Sequence, residues 1–125
     1  MSNRLSKMVN AGLSAMTASM IAGDLQTGVT AAGTTQSTAA AVYGDNVVVT
    51  SCAAGAGVIL STNASFAAGD DVFMTNQGAN ALTVYPPVGG QINALGANVG
   101  FSIAAGKQTN FRSVGANQFY APAAA

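Results

Sequence analysis

The sequence predicts a mainly β protein: a single antiparallel β-sandwich or barrel-like domain of about eight short strands, preceded by an N-terminal amphipathic helix or arm. Three observations predict it. From Asn46 onward, short apolar or alternating runs recur between Gly, Asn, Asp and Pro residues. Two turn phrases repeat along the chain, Gly-Ala-Asn at Gly78, Gly96 and Gly115, and Ala-Ala-Gly at Ala31, Ala53, Ala67 and Ala104. Residues 3–22 stand apart, with apolar side chains at three- and four-residue steps.

The arm comes first. Leu5, Met8, Val9, Leu13, Met16 and Met20 fall on one helical face, with Lys7, Asn10, Ser14 and Thr17 on the other. Gly12, Ala15 and Ser19 break a strict heptad, which favours a helix docked in a groove over a coiled coil. Arg4 and Lys7 ahead of this stretch suggest a secretory leader, but Asn10, Ser14, Thr17 and Ser19 make a poor hydrophobic region. The helix is therefore expected in the mature protein, as an arm over residues 1–23.

Residues 24–45 are rich in Gly, Thr, Ala and Ser and read as a linker that could hold a first strand around Thr35 to Tyr43. The β domain is expected over 46–125. Its strands are Asn46 to Ser51, Gly57 to Ser61, Asp71 to Asn76, Ala81 to Tyr85, Gln91 to Leu95, a run through Val99, Phe101 and Ile103, Gln108 to Val114, and Asn117 to Ala121. Alternation puts Val72 with Met74 on one face, and Leu82 with Val84. Pro86-Pro87 ends the strand carrying Tyr85, since proline cannot donate to a ladder. The Gly-Ala-Asn and Ala-Ala-Gly phrases are read as turn punctuation rather than a solenoid repeat, because Gly and Asn tolerate the positive φ of tight turns.

Composition narrows the function. Of 125 residues 6% are charged, against roughly a quarter in an ordinary domain. Arg4, Lys7, Lys107 and Arg112 balance Asp24, Asp45, Asp70 and Asp71. A free, neutral monomer with so few charges is poorly protected against association, so other subunits are expected to cover much of its surface. With no basic patch, nucleic-acid binding through phosphates is not expected, and no apolar run is long enough for a membrane-spanning helix.

Catalytic groups are scarce. The chain has no His and no Glu, leaving Asp, Lys or Tyr for base work. Asp70 and Asp71 are adjacent, so within a strand they face apart; a calcium site using both with loop carbonyls is the alternative. One Cys and no His exclude a zinc site. Cys52, among small apolar neighbours, reads as a buried inert thiol rather than a reactive one. No catalytic, cofactor or metal residue is assigned, and the chain is not expected to be an enzyme.

The run Asp71-Val-Phe-Met-Thr-Asn-Gln-Gly-Ala-Asn-Ala-Leu-Thr-Val-Tyr-Pro-Pro-Val-Gly-Gly-Gln-Ile-Asn-Ala-Leu, followed by Ala104-Ala-Gly-Lys-Gln-Thr-Asn-Phe and Gln118-Phe-Tyr-Ala, resembles a β module of tailed-bacteriophage virion proteins. The resemblance reaches back to Thr34-Thr-Gln-Ser-Thr-Ala and covers roughly residues 33–121; the arm lies outside it. Many members carry a tryptophan before the final tyrosine, where this chain has Phe119. It implies a viral structural protein on the capsid surface, a decoration (cement) protein or a head fibre. Implied partners are other copies of itself, as a homotrimer, and the major capsid protein, with no cofactor. The arm, through Leu5, Met8, Val9, Leu13, Met16 and Met20, would dock in a neighbour's groove. The competing expectation is a fibre or receptor-binding domain reading a glycan, with Tyr43, Tyr85 or Tyr120 clustered at one end.

Overall fold

A computed structural model of the chain describes residues 25–60, 68–115 and 117–122. Leu5, Met8, Val9, Leu13, Met16 and Met20 lie outside the described residues, and so does the whole predicted helix. Among the described residues ten strands form two sheets: β1 Leu25–Thr30, β2 Ala40–Val42, β3 Asn46–Ser51, β4 Gly57–Leu60, β5 Asp71–Asn76, β6 Leu82–Tyr85, β7 Gln91–Ile92, β8 Phe101–Ile103, β9 Gln108–Gly115 and β10 Gln118–Tyr120. One sheet has the order β1-β3-β5-β9-β10-β7 and the other β2-β4-β6-β8.

The mainly β, two-sheet expectation matches this architecture, but the antiparallel pairing does not. β1, β3 and β5 pair in parallel, as do β2, β4 and β6, and β7 with β10. Only β5–β9, β9–β10 and β6–β8 are antiparallel. The cause is the path of the chain. From β1 to β6 each strand is followed by one in the opposite sheet, so the chain returns to the first sheet running the same way. The result is a coil of three rungs, β1/β2, β3/β4 and β5/β6. Antiparallel β9 and β8 lie against the last rung and close that end.

Packing follows the valine-rich alternation. β3 and β5 bury every second residue, and Val47 pairs with Met74 while Val49 pairs with Asn76. In the other sheet Val42 stands beside Leu60, and Val58 lies between Ala40 and Val84. Inward side chains of both sheets form one cluster, including Val47, Met74, Leu60, Leu82, Phe111 and Phe119. Phe101 of β8 and Phe111 of β9 meet edge to face across the layers, with ring centroids 5.5 Å apart at 84°. Such a geometry lets the electropositive ring edge face the π cloud.

The stretch 24–45, read as a linker that could hold a first strand, supplies β1 and β2, and Val29, Val42 and, just after β1, Ala31 join the core. The predicted strand Gln91 to Leu95 narrows to Gln91–Ile92, because Asn93 and Ala94 turn the chain at φ 54° and 58°. Leu95 N donates to Ile92 O at 3.0 Å and closes that turn. The Ala-Ala-Gly phrases do act as punctuation: Gly33, Gly55, Gly69 and Gly106 all have positive φ, from 69° to 96°. Those after β1 and β3 occupy equivalent corners of successive rungs, and Gly78-Ala79-Asn80 takes the same corner after β5, so the phrases punctuate a short parallel coil, contrary to the expectation that excluded a solenoid-like stack. Pro86 and Pro87 follow trans bonds and are buried.

Candidate functional site

Among the described residues Asp71, Arg112 and Cys52 are engaged in structural contacts. Asp71 of β5 and Arg112 of β9 are directly opposed, and the guanidinium Nε and Nη2 donate to the two carboxylate oxygens at 3.0 and 3.3 Å. The hydrogen bond to Asp71, helped by its charge, raises the Arg112 pKa further. Arg112 is exposed, so this pair orients two side chains more than it stabilises the fold. Asp70 precedes β5, and its carbonyl accepts from Ser113 N at 2.8 Å. Among the described residues no three Asp or Cys side chains come together in an arrangement that could hold a metal ion.

Cys52 is 5% exposed, and burial pushes its thiol pKa up. Its Sγ lies 3.5 Å from Ala81 O, while a Cβ on Gly78 would stand only 2.6 Å from the Cys52 Cβ. Glycine is required there because two rungs approach at their corner. A proton-holding thiol under this corner is a packing group.

Beside it Asn76, at the end of β5, is fully buried and fully used. Its Nδ2 donates to Asn80 O at 2.9 Å and Ile103 O at 3.1 Å, and its Oδ1 accepts from Gly78 N at 2.9 Å. Asn80 Nδ2 carries the link to Cys52 O at 3.0 Å. Elsewhere the same device recurs. Gln26 Oε1 accepts from Tyr43 N and Gly44 N, and Asn93 Oδ1 from Ala121 N. Asn98 Oδ1 accepts from Gly89 N at 2.7 Å and Gln36 Nε2 at 3.0 Å, while Gln36 also donates to Pro86 O. Neutral amides thus complete the hydrogen bonding of turns, where many proteins use charges or water.

Among the described residues Asp45, Asp70, Asp71 and Arg112 gather at the end of the large sheet where β5 begins: Phe73 N bonds Asp45 O, and Asp71 faces Arg112. Lys107 stands at the other end, its carbonyl accepting from Asn76 N. The small sheet carries no charge in any strand. Its outer face presents Ala41, Ile59 and Tyr85 in one row and Thr83 beside Ser102. The Tyr85 ring lies between Gly57 and Gly100, one edge 2.9 Å from the place a Gly57 Cβ would take and the other 3.3 Å from that of Gly100. Its hydroxyl donates to Thr34 O at 3.2 Å.

Exposed large apolar side chains are spread across the six-stranded sheet, with Phe73 on β5, Val114 on β9 and the rest toward its two edges. Leu25 and Tyr43, 64% and 63% exposed, flank the Gln26 amide at the β1 edge. Val88, Leu95 and Val99 sit on the two loops around β7 that Asn98 ties together. Tyr120, also exposed, lies on β10 opposite Arg112, at the same strand end as Tyr43 but several strands away, and Tyr85 is on the other sheet. Sequence reasoning singled out the tyrosines but not Val88, Leu95 or Val99. The sequence puts Leu95 and Val99 in strands, but positive φ at Asn93, Ala94, Gly96 and Asn98 turns the chain there and leaves both exposed.

Among the described residues no helix is long and apolar enough to cross a membrane. No protein-family model matches the chain, and neither does any curated protein or solved structure compared with it.

Proposed function

We propose that the chain is a capsid decoration (cement) protein of a tailed bacteriophage: a non-enzymatic virion protein, assembled as a homotrimer, that stabilises the head by binding across subunits of the major capsid protein. The observation that carries this reading is the distribution of charge. A whole sheet without a charged residue, its outer face built from Ala41, Ile59, Thr83, Tyr85 and Ser102, suits burial against another protein over a broad, flat footprint. The edges support contact through faces rather than strand addition. β2, β7 and β8 are two or three residues long, and β1 is irregular in register, both of which discourage edge-to-edge pairing. The arm, through Leu5, Met8, Val9, Leu13, Met16 and Met20, adds a docking contact to a neighbour.

The fibre-tip reading needs aromatic rings gathered around a pocket. Tyr43 beside β1, Tyr120 on β10 and Tyr85 on the other sheet are spread instead, which favours the flat footprint.

The test is the place of the chain in intact particles, by immunogold labelling and by copy number per head. Labelling over the head at a copy number tied to the capsid lattice is expected, and labelling of the tail tip alone would refute decoration. Deleting residues 1–22 separates the arm: particle retention is expected to fall while the β domain stays folded.

A further inference from the structure

We infer that the outer face of the six-stranded sheet binds an uncharged polysaccharide chain, laid across β5, β9 and β10 with Phe73 and Tyr120 under its sugar rings. This goes beyond the decoration reading, which uses the other sheet, and concerns an open platform rather than the tip pocket set aside above. Register places the residues. Asp71, Arg112 and Tyr120 form one cross-strand row, and Asn46, Phe73 and Asn110 form the next. Their neighbours along the strands, Val47, Val72, Met74, Phe111 and Phe119, are buried in the core, so both rows point outward. Phe73 is 43% exposed and Tyr120 51%. Two strand spacings across the sheet and two residues along it separate them, about 12 Å.

The polar groups around the rings point to the ligand. Gln26, Gln36, Asn76, Asn80, Asn93 and Asn98 all commit their amides to turns. The side chains of Asn46 and Asn110, half-buried on either side of Phe73, make no hydrogen bond among the described residues. Arg112 meets Asp71 through Nε and Nη2, which leaves the Nη1 donors of an exposed fork for a ligand. Each ring thus has hydrogen-bonding groups beside it. A sugar ring meets both, with C–H faces for the aromatic ring and hydroxyls at its edge for the amides and guanidinium. A protein partner fits less well. The buried centre of a protein contact is depleted of charge, whereas here the ion pair stands between the two rings. Covering it with protein would desolvate both ions, while ligand hydroxyls would replace their water. Leu25 beside Asn46 and Val114 beyond Arg112 add exposed apolar surface at the margins. Asp71 and Arg112 cancel, and Asp45 and Asp70 add negative charge at the same end, which selects against an anionic glycan. An open sheet face has no walls to enclose a single sugar, so the ligand is a chain that spans both rings.

The experiment uses the full chain. It is screened on an array of neutral and acidic oligosaccharides, and the best neutral ligand is titrated calorimetrically. Binding is expected to a neutral hexose oligomer and not to its monosaccharide, with no loss on adding salt. Phe73→Ala, Tyr120→Ala and Asn110→Ala should each weaken it at least about tenfold. Leu95→Ala, on the loop after β7, should leave it unchanged. Circular dichroism checks that each variant folds, and Phe73→Tyr, which keeps a ring, should retain binding. An array without a neutral ligand, or a preference for acidic glycans, would overturn the inference. So would an equal loss with Leu95→Ala. Self-association in sedimentation equilibrium that Phe73→Ala abolishes would mean that protein covers this face, and would overturn it too. Heads decorated by a chain without glycan affinity refute this inference alone, and a glycan-binding chain absent from heads refutes only the decoration reading.

Discussion

Replacing Asn76 tests whether the coil depends on its buried amide. Asn76→Ala removes the bonds to Asn80 O, Ile103 O and Gly78 N and leaves those three backbone groups to find other partners. Asn80 is exposed, so its carbonyl can take water and loses about 0.5 kcal/mol. Gly78 N–H is half-buried and loses about 1 kcal/mol, while the bond to Ile103 O is buried and its loss approaches 2 kcal/mol. The total is about 3 to 4 kcal/mol, a large share of the 5–15 kcal/mol typical of a domain. For a chain of this size it lowers Tm by roughly 10 °C. Urea unfolding followed by far-UV circular dichroism measures it. A loss below about 1 kcal/mol would refute the claim that this amide ties the corner. Asn76→Asp sharpens the test, because a carboxylate would face two carbonyl oxygens without a proton to offer. Its folded-state pKa should rise, so the folded state binds more protons than the unfolded one and stability should recover as pH falls below neutral. An Asp variant that gained stability with rising pH would contradict the geometry.

Ala94→Gly is expected to stabilise the fold by about 0.5 kcal/mol, since relief of a strained φ outweighs the added freedom of the unfolded chain; thermal melts decide it. Gly57→Ala is expected to cost about 2 kcal/mol, because its Cβ would meet Thr83 O at 2.6 Å and the Tyr85 ring at 2.9 Å. Gly100→Ala should be milder, as the atom it meets first is the Thr83 methyl group. Cys52 should resist alkylation in the native protein and react fully in urea. Burial raises its pKa, so its contribution holds below the ordinary thiol pKa of about 8.5 and declines as pH rises through the folded value. Cys52→Ala should remove that part of the alkaline loss.

Much of the local structure was readable because it is written in short range. β3 and β5 lie where the valine-rich and Asp-Val-Phe-Met runs place them, with Val72 and Met74 buried. The Ala-Ala-Gly glycines turn as their lack of a Cβ allows. Pairing was not readable. Alternation says which side chains point inward but not which strand lies beside which, and Asn46 carries no sign that its neighbours are Leu25 and Phe73. β1 was hidden because Leu25 to Thr30 buries only Val29 and so has no alternating signature. The amide network was missed for a similar reason: Asn76 at a strand end and Asn98 in a turn phrase carry the same side chain, and only the fold makes one a buried tie and the other a loop clasp. The exposed loop residues Leu95 and Val99 were assigned to strands, and Val88 was passed over as turn filler.

The carboxamide ties have a consequence for the conditions this molecule can meet. Gln26, Gln36, Asn76, Asn80, Asn93 and Asn98 bear no proton that comes or goes, and the chain contains neither His nor Glu. Between the carboxylate range near pH 4 and the thiol range above pH 8 its framework has nothing to titrate. Salt has nothing to screen within the strands of the small sheet, which hold no ions, and acts on the large sheet at the exposed Asp71–Arg112 pair. Shifts of pH within that range should therefore leave these corners intact, because none of the amides that tie them gains or loses a proton.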